Sequence, residues 1–124
     1  MNDHIEAQLQ ASAELLLKVA REKVSFRHDR VRLFARAARE ALDALPLEAR
    51  GPGFMLRTWK LPTFSGALQR AFDEITSSVA KFISIPAARP VLLAYATRLA
   101  IDDLSPDEQQ RALDNVVAII GTPP

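Results

Sequence analysis

The chain has no cysteine in its 124 residues. That excludes disulfides, thiolate nucleophiles and cysteine-based zinc sites together, and it leaves the redox compartment open, because a cysteine-free chain tolerates either. Histidine is scarce. His4 and His28 lie in separate segments, without the spacing that puts two imidazoles on one helix face, and a metal site needs several convergent ligands. No metal and no cofactor are expected. Long apolar runs are missing too: pieces such as PVLLAYA fall far short of the roughly 20 residues that span a membrane. No signal-peptide pattern precedes the first helix signal. A cytoplasmic protein without a membrane partner is the expectation.

Net charge is also nearly absent, at +1, so the summed field steers nothing strongly and the distribution carries the information. Residues 18 to 39 hold eight basic side chains (Lys18, Arg21, Lys23, Arg27, Arg30, Arg32, Arg36 and Arg39) against Glu22 and Asp29, whereas from Thr63 onward five basic face seven acidic residues. Glycine is rare, with two of the four in one stretch, RGPGFMLRTWKLPTF from Arg50 to Phe64, which also holds the only tryptophan, Trp59. Gly51 and Gly53 are not in a phosphate-loop pattern, since no strand precedes them and no Gly-Lys-Ser/Thr follows.

What is present is helical patterning. With 48% apolar and 25% charged residues, 1–124 reads as one helical domain with enough apolar surface for one core. Asp3 and Glu6 have capping-box spacing, and Ile5, Leu9, Ala13, Leu16, Leu17, Ala20 and Val24 then recur at steps of three and four. A second such pattern runs through Val31, Phe34, Ala38, Ala41, Leu42 and Leu45 to Pro46, which ends it. Between them KVSFRHD has neither glycine nor proline. The heptad alternation from Leu17 to Leu45 is interrupted in character only at Arg27, so one helix of about forty residues is allowed. Helices above 25 residues are uncommon in a domain this small, and two helices with a turn near 25 to 29, capped by Ser25 or Asp29, are preferred.

Residues 46 to 62 read as one long irregular connector. A third helix starts from Thr63 or Ser65 and carries Phe64, Leu68, Ala71, Phe72, Ile75, Val79, Phe82 and Ile83 on one side. SIPAARP breaks it, and a fourth helix starts between Pro86 and Pro90, presenting Leu92, Tyr95, Ala96, Leu99 and Leu104. Ser105, Pro106, Asp107 and Glu108 form an N-cap, a first-turn proline and a capping glutamate. They open a fifth helix with Leu113, Val116, Val117 and Ile120 inward and Gly121 as its cap. The predicted fold class is all-α, a four- to five-helix bundle.

Chemistry is harder to find. The pairs Asp73–Glu74 and Asp102–Asp103 are adjacent in sequence and point about 100° apart on a helix, so they read as solvated faces. No base–nucleophile or acid–base set falls within reach, and neither catalytic residues nor a small-molecule substrate are inferred. In a helix over 29 to 45, Arg32, Arg36 and Arg39 share a sector opposite the Val31/Phe34 face. This makes a basic ridge of the kind that binds phosphate backbones. Arg57 and Lys60 extend that candidate set. The competing reading is an ordinary charged outer face, since Arg36–Glu40 and Arg39–Asp43 have pairing distance in sequence. Phe54, Met55 and Trp59 are candidate partner-binding residues; the alternative is that the connector folds over the bundle and buries them. By elimination, the expected function is a non-enzymatic adaptor or regulator that binds another protein and itself, as a homodimer. Nucleic-acid binding through residues 18 to 39 is the alternative.

Overall fold

The computed structural model describes residues 3–46 and 63–120. The connector and the Gly121 cap expected from the sequence therefore lie outside the described residues. Five α-helices account for most of what is described: α1 (Asp3–Lys23), α2 (Arg27–Asp43), α3 (Gly66–Phe82), α4 (Arg89–Asp102) and α5 (Pro106–Ile120), with a single 3-10 turn at Pro86–Ala88 before α4. No strand occurs among the described residues. The all-α bundle is the observed architecture.

Residues 3 to 45 form two helices, not one. α1 closes with the Val24 amide on the Ala20 carbonyl, and the chain is extended at Phe26, the N-cap residue of α2. Neither Ser25 nor Asp29 fills that role, which corrects the expected cap. Asp29 sits in the first turn of α2, where the macrodipole favours a carboxylate. α2 ends three residues before Pro46, with the Ala44 amide on Glu40 and the Leu45 amide on Leu42.

Ser65 is the N-cap position of α3, and the next residue, Gly66, has φ +58°. That is the left-handed region in which a Cβ is strained, so glycine is the residue that turns the chain into this helix cheaply. At α5, the Ser105 carbonyl accepts from the amides of Glu108 and Gln109, and the Ser105 hydroxyl donates to the Glu108 carboxylate at 2.9 Å. The expected capping pair is thus joined side chain to side chain.

Long-range pairs fix the directions. Arg21 meets Asp103 and Glu6 meets Tyr95, so α1 and α4 run the same general way. His28 meets Glu108 and Arg39 meets the Ile119 carbonyl, so α5 runs alongside α2. Lys23, the last residue of α1, meets Glu74 in the middle of α3.

α2 and α4 pack most extensively: α4 also packs on α1, and α2 on α5, while α4 keeps one exposed stripe through Val91, Ala94, Arg98 and Asp102. Val31, Leu33, Phe34, Ala35, Ala37 and Ala38 of α2 are all buried, as are Leu92, Leu93, Ala96, Ala100 and Ile101 of α4. Ala37 and Ala38 of α2 and Ala96 and Ala100 of α4 are all buried, and small side chains favour the close end of the usual interaxial range. The buried Thr97 hydroxyl is satisfied by the Leu93 carbonyl at 2.7 Å, the back-bond available to a mid-helix threonine.

Two expected faces are corrected. Phe82, placed on the buried side of α3, is 67% exposed, and Leu113 and Val117 of α5 are 45% and 46% exposed. Ala112 and Val116 provide α5's contact with the core. Periodicity identified an apolar stripe in each case, but each helix has too few neighbours to cover it.

Candidate functional site

The basic segment does not form a ridge. Because α2 is packed on several sides, the sector holding Arg32, Arg36 and Arg39 is only partly open to water: Arg32 and Arg36 are half-buried and Arg39 is buried. Arg39 is only 4% exposed. Its Nε donates to both oxygens of Asp43 at 3.1 Å, and its Nη1 donates to the Ile119 carbonyl at 3.4 Å. A guanidinium at the carbonyl end of α5 is favourably placed against the helix dipole. The guanidinium of Arg36 lies 4.6 Å from the Phe72 ring centre and 5.0 Å from that of Phe64, with Glu40 3.6 Å away. Those distances are within cation–π range. Arg32 pairs with Asp29 at 3.2 Å and stands 5.7 Å from the Phe64 ring centre.

The other members of the set are dispersed and mostly paired. Arg21 makes a two-point bond to Asp103 (2.7 and 3.0 Å), and this pairing holds the Arg21 guanidinium above its ordinary pKa. Lys23 pairs with Glu74 at 2.8 Å. Arg30 donates from Nε to the Val24 carbonyl at 2.8 Å and lies 4.0 Å from Asp103. Lys18 and Arg27 are exposed. Arg57 and Lys60, like Phe54, Met55 and Trp59, lie outside the described residues.

These pairs build a polar end of the bundle, where the α1–α2 turn meets the α4–α5 loop. His28 Nε2 and Glu108 Oε2 are 2.7 Å apart across it. The Glu108 carboxyl is held below its ordinary range, first by the Ser105 hydroxyl and then by His28. Arg21–Asp103 and His28–Glu108 join residues 82 and 80 positions apart, a relation no local pattern encodes.

The opposite end is built differently. α3 stops at Phe82, Ile83 is extended at φ −116°, ψ 101°, and Ile85 is extended at φ −86°, ψ 111°. Pro86 accounts for the latter, since a proline disfavours helical backbone in the residue before it. The extended linker is held from both sides: the Ile83 amide donates to Val79, and Arg89 Nε donates to the Ile83 carbonyl at 2.9 Å. Ile85, at 66% exposure, and Phe82 are thereby set out on a braced backbone, opposite Ile5 of α1, which is 48% exposed.

Between these elements lies a groove of ≈ 620 Å³, with Leu9, Ile83 and Ala88 among its lining and Gln8, Ser12 and Ser84 as its polar groups. No lining residue is ionisable. Leu9 and Ile83 are half-buried and pack against the core, so the floor is part of the folded body. The groove was missed because Phe82 and Ile83 continue the α3 pattern and Ile5 continues the α1 pattern. The available signal was KFISIP, an apolar run carried past a helix end into a proline.

Tyr95 is the other contact not foreseen. Its hydroxyl donates to the Glu6 carboxylate at 3.1 Å, which pushes the phenol above its ordinary pKa. The bond ties α1 to α4. Among the described residues, no three of His, Asp or Glu gather in a way that could hold a metal ion, and no helix is long and apolar enough to cross a membrane. No protein-family model, curated protein or solved structure matches this chain.

Proposed function

We propose that this protein is a non-enzymatic adaptor or regulator that acts by binding another protein, and that it self-associates. The observation that carries the reading is the uncharged groove between the start of α1 and the α3–α4 linker, with Ile5, Phe82 and Ile85 exposed at its rim. Soluble monomers rarely leave contiguous large apolar side chains uncovered, and a groove of this composition suits the apolar face of a partner segment. The braced linker adds to this. A surface already held in shape loses little conformational freedom on binding, which leaves more of the contact energy as affinity.

Nucleic-acid binding through residues 18 to 39 is the competing reading. It requires several cations free to neutralise successive phosphates. Arg21, Lys23, Arg32 and Arg36 each have a carboxylate within 4.0 Å, and Arg39 is buried. These arrangements argue against it.

The test is capture of a protein partner by the tagged chain in nuclease-treated extract at moderate salt, compared with a Phe82→Ser/Ile85→Ser variant. The expected result is a discrete partner that is retained by the wild type and lost by the variant. Capture that disappears with nuclease, together with retardation of generic DNA at low salt, would overturn the adaptor reading in favour of the competing one.

A further inference from the structure

A second groove, of ≈ 450 Å³, lies between α4 and α5 and shares no lining residue with the first. Ile101 and Thr97 line it from α4, Leu113 and Val116 from α5, and Arg98 and Asp102 stand along its edge. Two observations set this surface apart. Leu113, Val116 and Val117 follow the spacing of a helix face made to be covered, yet α5 rests on the core through Ala112 and Val116, leaving Leu113 and Val117 about half exposed. The second concerns charge. Arg98 and Asp102 are exposed, one helical turn apart, and neither has a hydrogen bond or ion pair among the described residues. Arg36–Glu40 and Arg39–Asp43 have the same spacing and the same order of charges, and both are paired.

We infer that the α4–α5 groove is the surface through which two copies of this chain pair about a twofold axis, with Arg98 of each copy facing Asp102 of the other. An isologous interface requires a patch complementary to itself. A cation and an anion displaced by one turn along α4 meet that requirement when two α4 helices approach antiparallel, because both contacts then become opposite-charge pairs. Exposed Ala94 and Val91, one and two turns before Arg98, continue the surface without adding charge. Val117 and Leu113 supply the apolar part of the contact, and the charge pairs fix its register. This inference deepens the self-association in the proposed function and rests on that part of it.

Sedimentation equilibrium distinguishes the two levels of the claim. At about 100 μM chain and low ionic strength the wild type is expected to be a dimer with micromolar affinity. Arg98→Asp and Asp102→Arg each place like charges opposite one another twice, and each is expected to weaken the dimer about tenfold or more. An equimolar mixture of the two variants restores opposite charges at both contacts only between chains, so heterodimers are expected at near wild-type affinity. Leu113→Lys, an exposed position, is expected to abolish the dimer while the helical circular dichroism is unchanged. A monomeric wild type would overturn self-association itself. A dimeric wild type indifferent to the charge variants, or variants that fail to recover on mixing, would overturn this surface while leaving self-association in place.

Discussion

The two ends of the bundle solve the same problem by different means. At each, one helix stops, the chain turns within a few residues, and the next helix starts. At the polar end the turn carries Arg30, which bonds the Val24 carbonyl, and the space beyond is filled by Arg21–Asp103 and His28–Glu108. At the apolar end Arg89 bonds the Ile83 carbonyl in the same way, but what lies beyond is Ile5, Phe82 and Ile85, exposed and without directional partners. The same arginine device supports both turns. What differs is whether the surface outside it is already occupied by the chain's own charges, and a surface left apolar retains free energy that only burial releases.

Substitutions can break this comparison. The largest effect is expected at Arg39, the one basic residue of residues 18 to 39 taken fully inside. Arg39→Met leaves Asp43 and the Ile119 carbonyl without their bonds from the guanidinium, and should cost about 2–3 kcal/mol in denaturant unfolding. Asp103→Ala removes the acceptor of Arg21 and the carboxylate nearest the largely covered Arg30, and should cost about 1 kcal/mol. If both turns depend equally on their arginine, Arg30→Met and Arg89→Met should each lose about 1 kcal/mol in the same assay. A large inequality would show that the ends are not equivalent underneath their different surfaces. Phe82→Ser with Ile85→Ser should change stability by no more than about 0.5 kcal/mol, since both side chains already face water, while abolishing partner capture.

The smallest effect concerns pH. The Glu108 carboxyl is held lower in the folded protein than in the unfolded chain, so its contribution is complete above the ordinary glutamate range and is lost as pH falls through the lowered folded value. Glu108→Gln should therefore reduce stability at neutral pH slightly and flatten the decline below about pH 4.5, the ordinary value for the group, in thermal melts across that range.

Much of the fold was legible because helix starts are written locally. Asp3, Ser65, the Pro86–Pro90 window and Ser105–Pro106 each sit where a helix begins, and residue types suited to a helix start are a local signal that needs no distant partner. The places of α2 and α5 were not legible. A 3.6-residue period reveals that an apolar face exists but not how many neighbours the helix has. Ala35 and Ala37, on flanks of α2 that pattern reading ignores, are buried because α2 is surrounded, and the same fact converts a supposed basic ridge into separate ion pairs. The candidate site was illegible for a related reason. Whether Ile5 and Phe82 are covered depends on where α1 lies against the α3–α4 linker, a relation between residues far apart in sequence that no local pattern encodes.

The two turn arginines also bear on the order in which the bundle assembles. Each closes a loop of only six residues, whereas Arg21–Asp103 and His28–Glu108 join positions 82 and 80 apart. Loop-closure entropy rises with the length closed, and local contacts form before distant ones repay their ordering. The α1–α2 and α3–α4 turns can thus form early, whereas the packing of α4 on α1 and α2, the largest share of the bundle's helix packing, joins parts of the chain far apart in sequence and follows later.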